Sequence, residues 1–455
     1  VKRKICYFSK YMKISVKISK KIPTFDKFEY DMHDIVLKNI AVDGVLSDIC
    51  IDGDIISKIT AAGTEKCAEA KEVMDCTGKA AMPGFINMHT HAAMSLLRGV
   101  GEDMAFHDWL AKVWEIEANL DEEFVYWGTK VACLEMIKTG TTTFNDHYWF
   151  PLIGHKAAVE MGIRPVSSYV VINKMTDAEN EIEKIRCWKM YEASKQWGDK
   201  NLRFSMAFHA PYSVSEPMMV WAAEFARAHG LPLHIHLSET RKEVEDSKEA
   251  HGGLTPVEYL DRIGVLGPNL IAAHTLWLSD NDVELLGKHH VTCVHNINSN
   301  LKLSSGYHFL YKELIEAGCK VCIGTDGCAS SNNLDILEAM KTSAMMQKGW
   351  RGDPTVCPLN EIVEMATING ANALGLNTGL LQEGRIADIQ IVDTDNYNFL
   401  SPGTFLANYV YSAHSDCIDS LICNGRFVMK NRKVEGEREI LEGAGKVLSQ
   451  IRLRK

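Results

Sequence analysis

Nowhere in this 455-residue sequence do about 18 apolar residues run uninterrupted, so no membrane-spanning helix is expected. A basic surplus is missing too. Lys and Arg number 49 against 59 Asp and Glu, and the net charge of -10 argues against nucleic acid as a partner. Residues 1–21 carry eight Lys or Arg and no acid, but lack the apolar core of a signal peptide. They are expected to form a solvated tail over 1–32, or to be sequence upstream of the true start. The 13 cysteines show no metal or disulfide spacing apart from Cys319 and Cys322 in GCKVCIGTDG. There the alternation of Val321 and Ile323 between glycines reads as a buried strand. Reduced thiols in a reducing compartment follow, and a cytoplasmic location is expected.

The length is too great for one small domain and suits a barrel of about 250 residues with additions. From His33 the chain alternates short apolar runs with Gly and Asp turns: DIVLKNIAV, SDICIDGDIISKI, KEVMDCTGKAAMPGF. These spacings predict antiparallel strands. The same texture returns in RIADIQIVDTD and SLICNGRFVMKNRKV, so a small β-sandwich domain built from both chain ends is expected, from residues 33–84 and 383–455. Between them, residues 85–382 alternate helix and strand. Asp121 is placed to cap a helix that Gly140 stops, and TTTFND follows it as a strand. MMVWAAEFARAHG leads into LPLHIHLSE, PVEYLDRIGVLG into LIAAHTLWL, DVELLGKHH into VTCVHNIN, and LYKELIEAGC into KVCIGTDG. Repeated helix–strand units imply parallel strands with right-handed crossovers, hence an α/β fold of the (β/α)8 barrel type. Several of these strands end in His, Glu or Asp, and such a barrel carries its chemistry at the C-terminal ends of its strands.

The polar residues at those ends form a pattern. In PGFINMHTH, His89 and His91 lie two apart and so face the same side of an extended strand, positioned for one metal ion. A pair of loop histidines would read the same if HxH stood alone. In HIHLSE, His236 closes a strand and Glu239 follows where the chain turns. A lone strand His is usually a satisfied core residue, but a nearby carboxylate favours a ligand with a general acid/base. His274, in AAHTLWL, is either a fourth nitrogen ligand or a hydrogen-bond partner of a metal-bound water. Asp326 sits in a Gly turn, GTDG, where Asp is often only a turn former. Here it supplies the one carboxylate the set lacks, able to ligate the metal and to accept the proton of the attacking water. A divalent ion so held would make hydroxide at neutral pH, and Glu239 could protonate a ring amidine, so hydrolytic loss of ammonia is coherent chemistry.

With PGFINMHTHAAMSLLRGVGEDMAFHDWL, HAPYS, HIHLSE, AAHTLWLSD, NSNLKLSSG, GTDGCASSNNLD and ATINGANALGL in this order, the chain resembles the amidohydrolase superfamily. Within it the likeness is to the methylthioadenosine/S-adenosylhomocysteine deaminases and related chlorohydrolases, over residues 33 to 433. The resemblance implies a (β/α)8 barrel with one divalent metal ion, zinc or iron, bound by His89, His91, His236 and Asp326. It further implies that His274 holds the attacking water, that Glu239 shuttles the proton and that His209 contacts the purine. Trp109 would pack on the ligand and Glu117, matched across a one-residue gap, would grip ribose hydroxyls. The implied substrate is a small 6-aminopurine nucleoside, and the oligomeric state is left open.

One departure bears on the substrate. Members that take S-adenosylhomocysteine are expected to carry an Arg where this chain has Tyr169, and Lys174 cannot clamp a carboxylate through two parallel bonds. A neutral 5′ group, as in methylthioadenosine or adenosine, is favoured. Two rivals remain: an amidohydrolase deaminating or dechlorinating another ring (cytosine, guanine, 8-oxoguanine or a triazine), and a metal-free relative that only binds.

Overall fold

The computed structural model describes residues 32–64, 70–172, 176–198 and 203–453. The expected Lys-rich tail therefore lies, but for Met32, outside the described residues, and so does Lys174.

Sixteen strands are present among the described residues. β1 (His33–Val42), β2 (Val45–Asp52), β3 (Ile55–Ala61), β4 (Ala70–Asp75) and β5 (Lys79–Pro83) come first. β6 (Phe85–Thr90), β7 (Thr141–Asp146), β8 (Arg164–Val171), β9 (Arg203–Phe208), β10 (Leu233–Leu237), β11 (Leu270–His274), β12 (Thr292–His295) and β13 (Lys320–Ile323) follow, most of them separated by helices. β14 (Ile389–Asp393), β15 (Ile418–Cys423) and β16 (Arg426–Met429) end the series.

β6 to β13 pair in chain order, every neighbour parallel. The seam is bridged where the Thr325 and Asp326 N–H groups donate to the His89 carbonyl, at 3.1 and 2.9 Å. This nearly closed parallel barrel follows from the sequence pattern: strands buried on both faces read as continuous apolar runs, and a helix precedes each strand after β6. The helix Glu122–Lys138 is capped by Asp121, whose side chain accepts from the Phe124 N–H, and Gly140 beyond it takes φ 87°.

The two chain ends meet in one continuous sheet, in the order β16-β15-β14-β5-β1-β2-β3, with β4 also on β1. It is mixed where alternation alone suggested antiparallel pairing. Neighbours joined by tight turns are antiparallel, as β1 and β2 are across Asp43 (φ 48°) and Gly44 (φ 78°), a two-residue hairpin loop. β4 arrives by a longer connection and lies parallel to β1. The final stretch is the helix Glu437–Leu453, not a tail; Gly443 lets Trp127 of the helix Glu122–Lys138 pack where a Cβ would clash.

The small sheet is tied to the start of the barrel by a buried ion pair. Arg164 Nη1 opens β8 and donates to Asp388 Oδ2 at 2.7 Å, both side chains being fully buried. Thr378 Oγ1 and the Asn424 N–H also donate to Asp388, at 2.7 and 2.9 Å.

Candidate active site

The side chains singled out in the sequence converge at the C-terminal end of the barrel. His89 is wholly buried, and its Nε2 stands 3.2 Å from Asp326 Oδ1. His91, one residue past β6, places its Nε2 3.1 Å from the same oxygen. His236 on β10 brings its Nε2 within 3.3 Å of His91 Nε2. The proton positions follow from the outer partners. His91 Nδ1 donates to the His147 carbonyl at 2.5 Å, and His236 Nδ1 to the His209 carbonyl at 2.7 Å. The facing Nε2 atoms are therefore bare lone pairs, which repel unless a cation lies between them. Asp326 has its other oxygen, Oδ2, occupied by the Ser299 and Ser330 hydroxyls at 2.6 and 2.8 Å, which aims Oδ1 at the histidines. Three imidazole nitrogens and one carboxylate oxygen with backbone and hydroxyl groups behind them fit a divalent transition metal.

Beside this set lies the acid/base pair. Glu239 is buried with an oxygen 3.7 Å from His274 Nε2. Burial, then the charges of Asp326 and Glu243, push its carboxyl well above the ordinary range, which favours its protonated form. Asn300 Nδ2 donates to His274 Nδ1 at 2.9 Å, so the ring carries its proton on Nε2, facing Glu239. Burial holds the His274 ring down to about 3, which keeps it neutral.

The nucleoside-grip candidates line the same cleft: Trp109, Glu117 and His209 stand around it with His91, His236, Glu239, His274 and Asp326. Trp109 Nε1 donates to the Ala329 carbonyl at 3.2 Å. Glu117 has an Oε1 with no partner, and burial raises its carboxyl. His209 is hydrogen-bonded through Nδ1 to Ser213 Oγ at 2.8 Å, and burial lowers the ring to about 3.

Tyr169 corrects the sequence reading. Its hydroxyl donates to Glu183 on the helix Asp177–Ser194, outside the barrel wall, while Val170 and Ile172 of the same segment line the cleft. On a strand the two faces alternate, and Tyr169 has the outward parity. The positions of this segment that face the cleft, Val170 and Ile172, are apolar rather than aromatic, and the cleft lining contains no Lys or Arg among the described residues.

Sequence reasoning missed two histidines. His234 Nε2 lies 2.9 Å from His89 Nδ1, fixing that ring from behind. His147 follows β7 and lines the cleft with neither ring nitrogen partnered. Both had a signal: HIH repeats the two-residue spacing of HTH, and His147 ends a barrel strand. Cys319 and Cys322 are buried free thiols, as expected of a core strand, and no candidate metal group among the described residues includes a cysteine.

The fold and this site together define a metal-type hydrolase barrel. Residues 80–428 match the amidohydrolase family. The chain belongs to that family, whose members are metal-dependent, and is a hydrolase acting on carbon–nitrogen bonds. It is 46% identical to a 5′-deoxyadenosine deaminase of Methanoregula boonei, over 84% of this chain and 87% of the relative. It is 39% identical to a 5-methylthioadenosine/S-adenosylhomocysteine deaminase of Archaeoglobus fulgidus, over 92% and 99%. Among solved structures, an adenosine deaminase from Xanthomonas campestris with bound zinc superposes with a TM-score of 0.86 at 28% identity, covering 92% of this chain and 99% of that one. An atrazine chlorohydrolase from Arthrobacter aurescens shares the fold, with a TM-score of 0.81 at 20% identity, over 91% and 100%.

Proposed function

We propose that this protein is a metal-dependent deaminase that converts a 6-aminopurine nucleoside with a small uncharged 5′ group to the 6-oxopurine and ammonia. 5′-Deoxyadenosine, methylthioadenosine and adenosine are the substrates this reading favours over S-adenosylhomocysteine. The observation that carries it is one cleft joining a bare-nitrogen donor set, a Glu239 carboxyl pushed up by burial, and an apolar wall at Val170 and Ile172 with no Lys or Arg among the described residues of the lining. The relatives' names support an adenine nucleoside as substrate, and the 5′-deoxyadenosine deaminase among them agrees with that wall.

His89, His91, His236 and Asp326 would hold the ion. A divalent ion there, zinc or iron, would lower the pKa of water toward about 7 and so make hydroxide available as the nucleophile. Glu239 donates its proton to the ring nitrogen beside the carbon under attack, which makes that carbon electrophilic. The His274 Nε2–H, which faces Glu239, would orient the attacking oxygen. His209 contacts the ring, Trp109 packs against the ligand, and the unpartnered Glu117 oxygen accepts from ribose hydroxyls. As the amino group leaves, Glu239 would pass it a proton collected from the attacking oxygen, and a proton of the next water would restore the Glu239 acid, so acid and base roles fall on one residue. A cytoplasmic location and a small-molecule nucleoside as partner go with this reading.

The test is an absorbance screen of adenosine, 5′-deoxyadenosine, methylthioadenosine, S-adenosylhomocysteine, cytosine and guanine with metal-loaded protein. A neutral adenine nucleoside should give the highest kcat/KM. Preference for cytosine, guanine or a chlorotriazine would replace the proposal with the other-ring alternative.

A further inference from the structure

Three helices of this chain begin with an ordinary capping box. At Thr176/Glu179, Thr255/Glu258 and Ser279/Asp282 the acidic side chain returns to the N-cap N–H, at 2.9, 2.9 and 2.8 Å. The helix Arg241–Ala250 starts with the same spelling, Thr240 and Glu243, and the Thr240 hydroxyl accepts from the Glu243 N–H at 3.1 Å. The Glu243 carboxylate departs from the pattern. Its two oxygens reach past the cap and accept one each from the Ser238 and Glu239 N–H groups, both at 2.8 Å.

Those two amides belong to the turn that carries the proposed proton donor. Ser238 is held at φ 51°, a left-handed conformation that a non-glycine residue adopts at a cost of about 1 kcal/mol. The Ser238 carbonyl accepts from Leu276 and Trp277 N–H, at 3.1 and 3.0 Å, which straps this turn to the segment after His274. The Glu243 side chain is buried, and burial raises its carboxyl to about 7 against the pull of the backbone amides of Glu239, Ser238 and Thr240. A capping box alone does not need the two-residue reach, and Asp282 shows that burial accompanies an ordinary box as well.

We propose that Glu243 is a positioning residue: by clamping the Ser238 and Glu239 amides it fixes the left-handed turn that presents the Glu239 carboxyl to the ring and to His274. This rests on Glu239 being the proton donor proposed above. The carboxylate form is required because two N–H donors meet two oxygens; an amide at this place can accept only one of them and turns its own N–H group on the other.

The experiment compares wild type, Glu239→Gln, Glu243→Gln and the double variant in one deaminase assay, with metal content and Tm measured on each. Glu243→Gln should lower kcat by about 10- to 100-fold while KM stays within about threefold, with metal content unchanged. In the Glu239→Gln background the same change should cost less than about twofold, because a residue that acts only through Glu239 has nothing left to position. Hydrogen exchange of the 237–243 segment should quicken in Glu243→Gln. Glu243→Ala, which removes both acceptors, should lose more kcat than Glu243→Gln. Losses that multiply in the double variant, or a kcat for Glu243→Gln equal to wild type, overturn the proposal. A wild type and a Glu239→Gln variant of equal activity overturn instead the reading of Glu239 on which it rests.

Discussion

At the start of the barrel strands, Arg164 and Asp388 are buried charges whose neighbours answer them: Thr143, Thr378 and Asn424 complete the shell. At the other end the histidines face one another with bare nitrogens, and His147 and His234 keep ring nitrogens without partners. The backbone shows the same contrast. Turns that enter the strands place glycine in the left-handed region, at Gly140, Gly162, Gly230, Gly264 and Gly318, with His290 an exception. Turns that leave them place Ser238, His274, Thr275 and Asp326 there, at φ 51°, 74°, 47° and 62°. One end pairs its buried charges; the other gathers facing ring nitrogens and left-handed non-glycine turns, the strain that functional sites hold.

Breaking the strained end should cost activity first. Asp326→Ala and His236→Ala should take bound metal from about one ion per chain to a small fraction, with turnover at background and the fold kept, as read by metal analysis and circular dichroism. Full activity without metal would dissolve the contrast. Glu239→Gln comes next: metal stays, and kcat falls by about 10²–10⁴-fold. The satisfied end should answer in stability instead. Asp388→Ala leaves the Arg164 charge buried without its carboxylate, for about 3–5 kcal/mol in denaturant unfolding, while turnover per folded molecule holds. A variant that kept its stability and lost its chemistry would show that the two ends are not separable in this way.

How much of this was readable beforehand depends on parity and distance along the chain. HTH, HIHLSE and GTDG were legible because each puts its ligand-type residue at a strand end, where the barrel gathers them. The two chain ends were legible as one β unit because their texture matched, but not the parallel β1–β4 pairing, which depends on a path between strands that no local pattern encodes. Tyr169 was misread by one residue: Val170 and Ile172 face the cleft, and a strand reverses its faces at every step. Glu243 looked like a capping-box residue and became more only when the positions of the Ser238 and Glu239 amides were known.

The smallest effect concerns the mouth of the strained end, and it sharpens what kind of ligand completes it. S-Adenosylhomocysteine adds an amino-acid zwitterion to the 5′ position, whereas the 5′-deoxy, methylthio and hydroxyl groups are neutral. A well-formed Arg–carboxylate contact is worth about 1.5–3 kcal/mol, or roughly 10- to 150-fold. Val170 and Ile172 offer that carboxylate only apolar surface, and desolvating it there without a partner is unfavourable. Steady-state kinetics should therefore give the neutral nucleosides a kcat/KM at least about tenfold above that for S-adenosylhomocysteine. Ile172→Arg, on the cleft face, should narrow the gap by restoring a cation. Tyr169→Arg should not, because its side chain leaves the wall toward Glu183 and would exchange a hydrogen bond there for an ion pair. Equal efficiency on all the nucleosides, or a gap closed by the Tyr169 variant and not by the Ile172 variant, would move the 5′ group away from Val170 and Ile172.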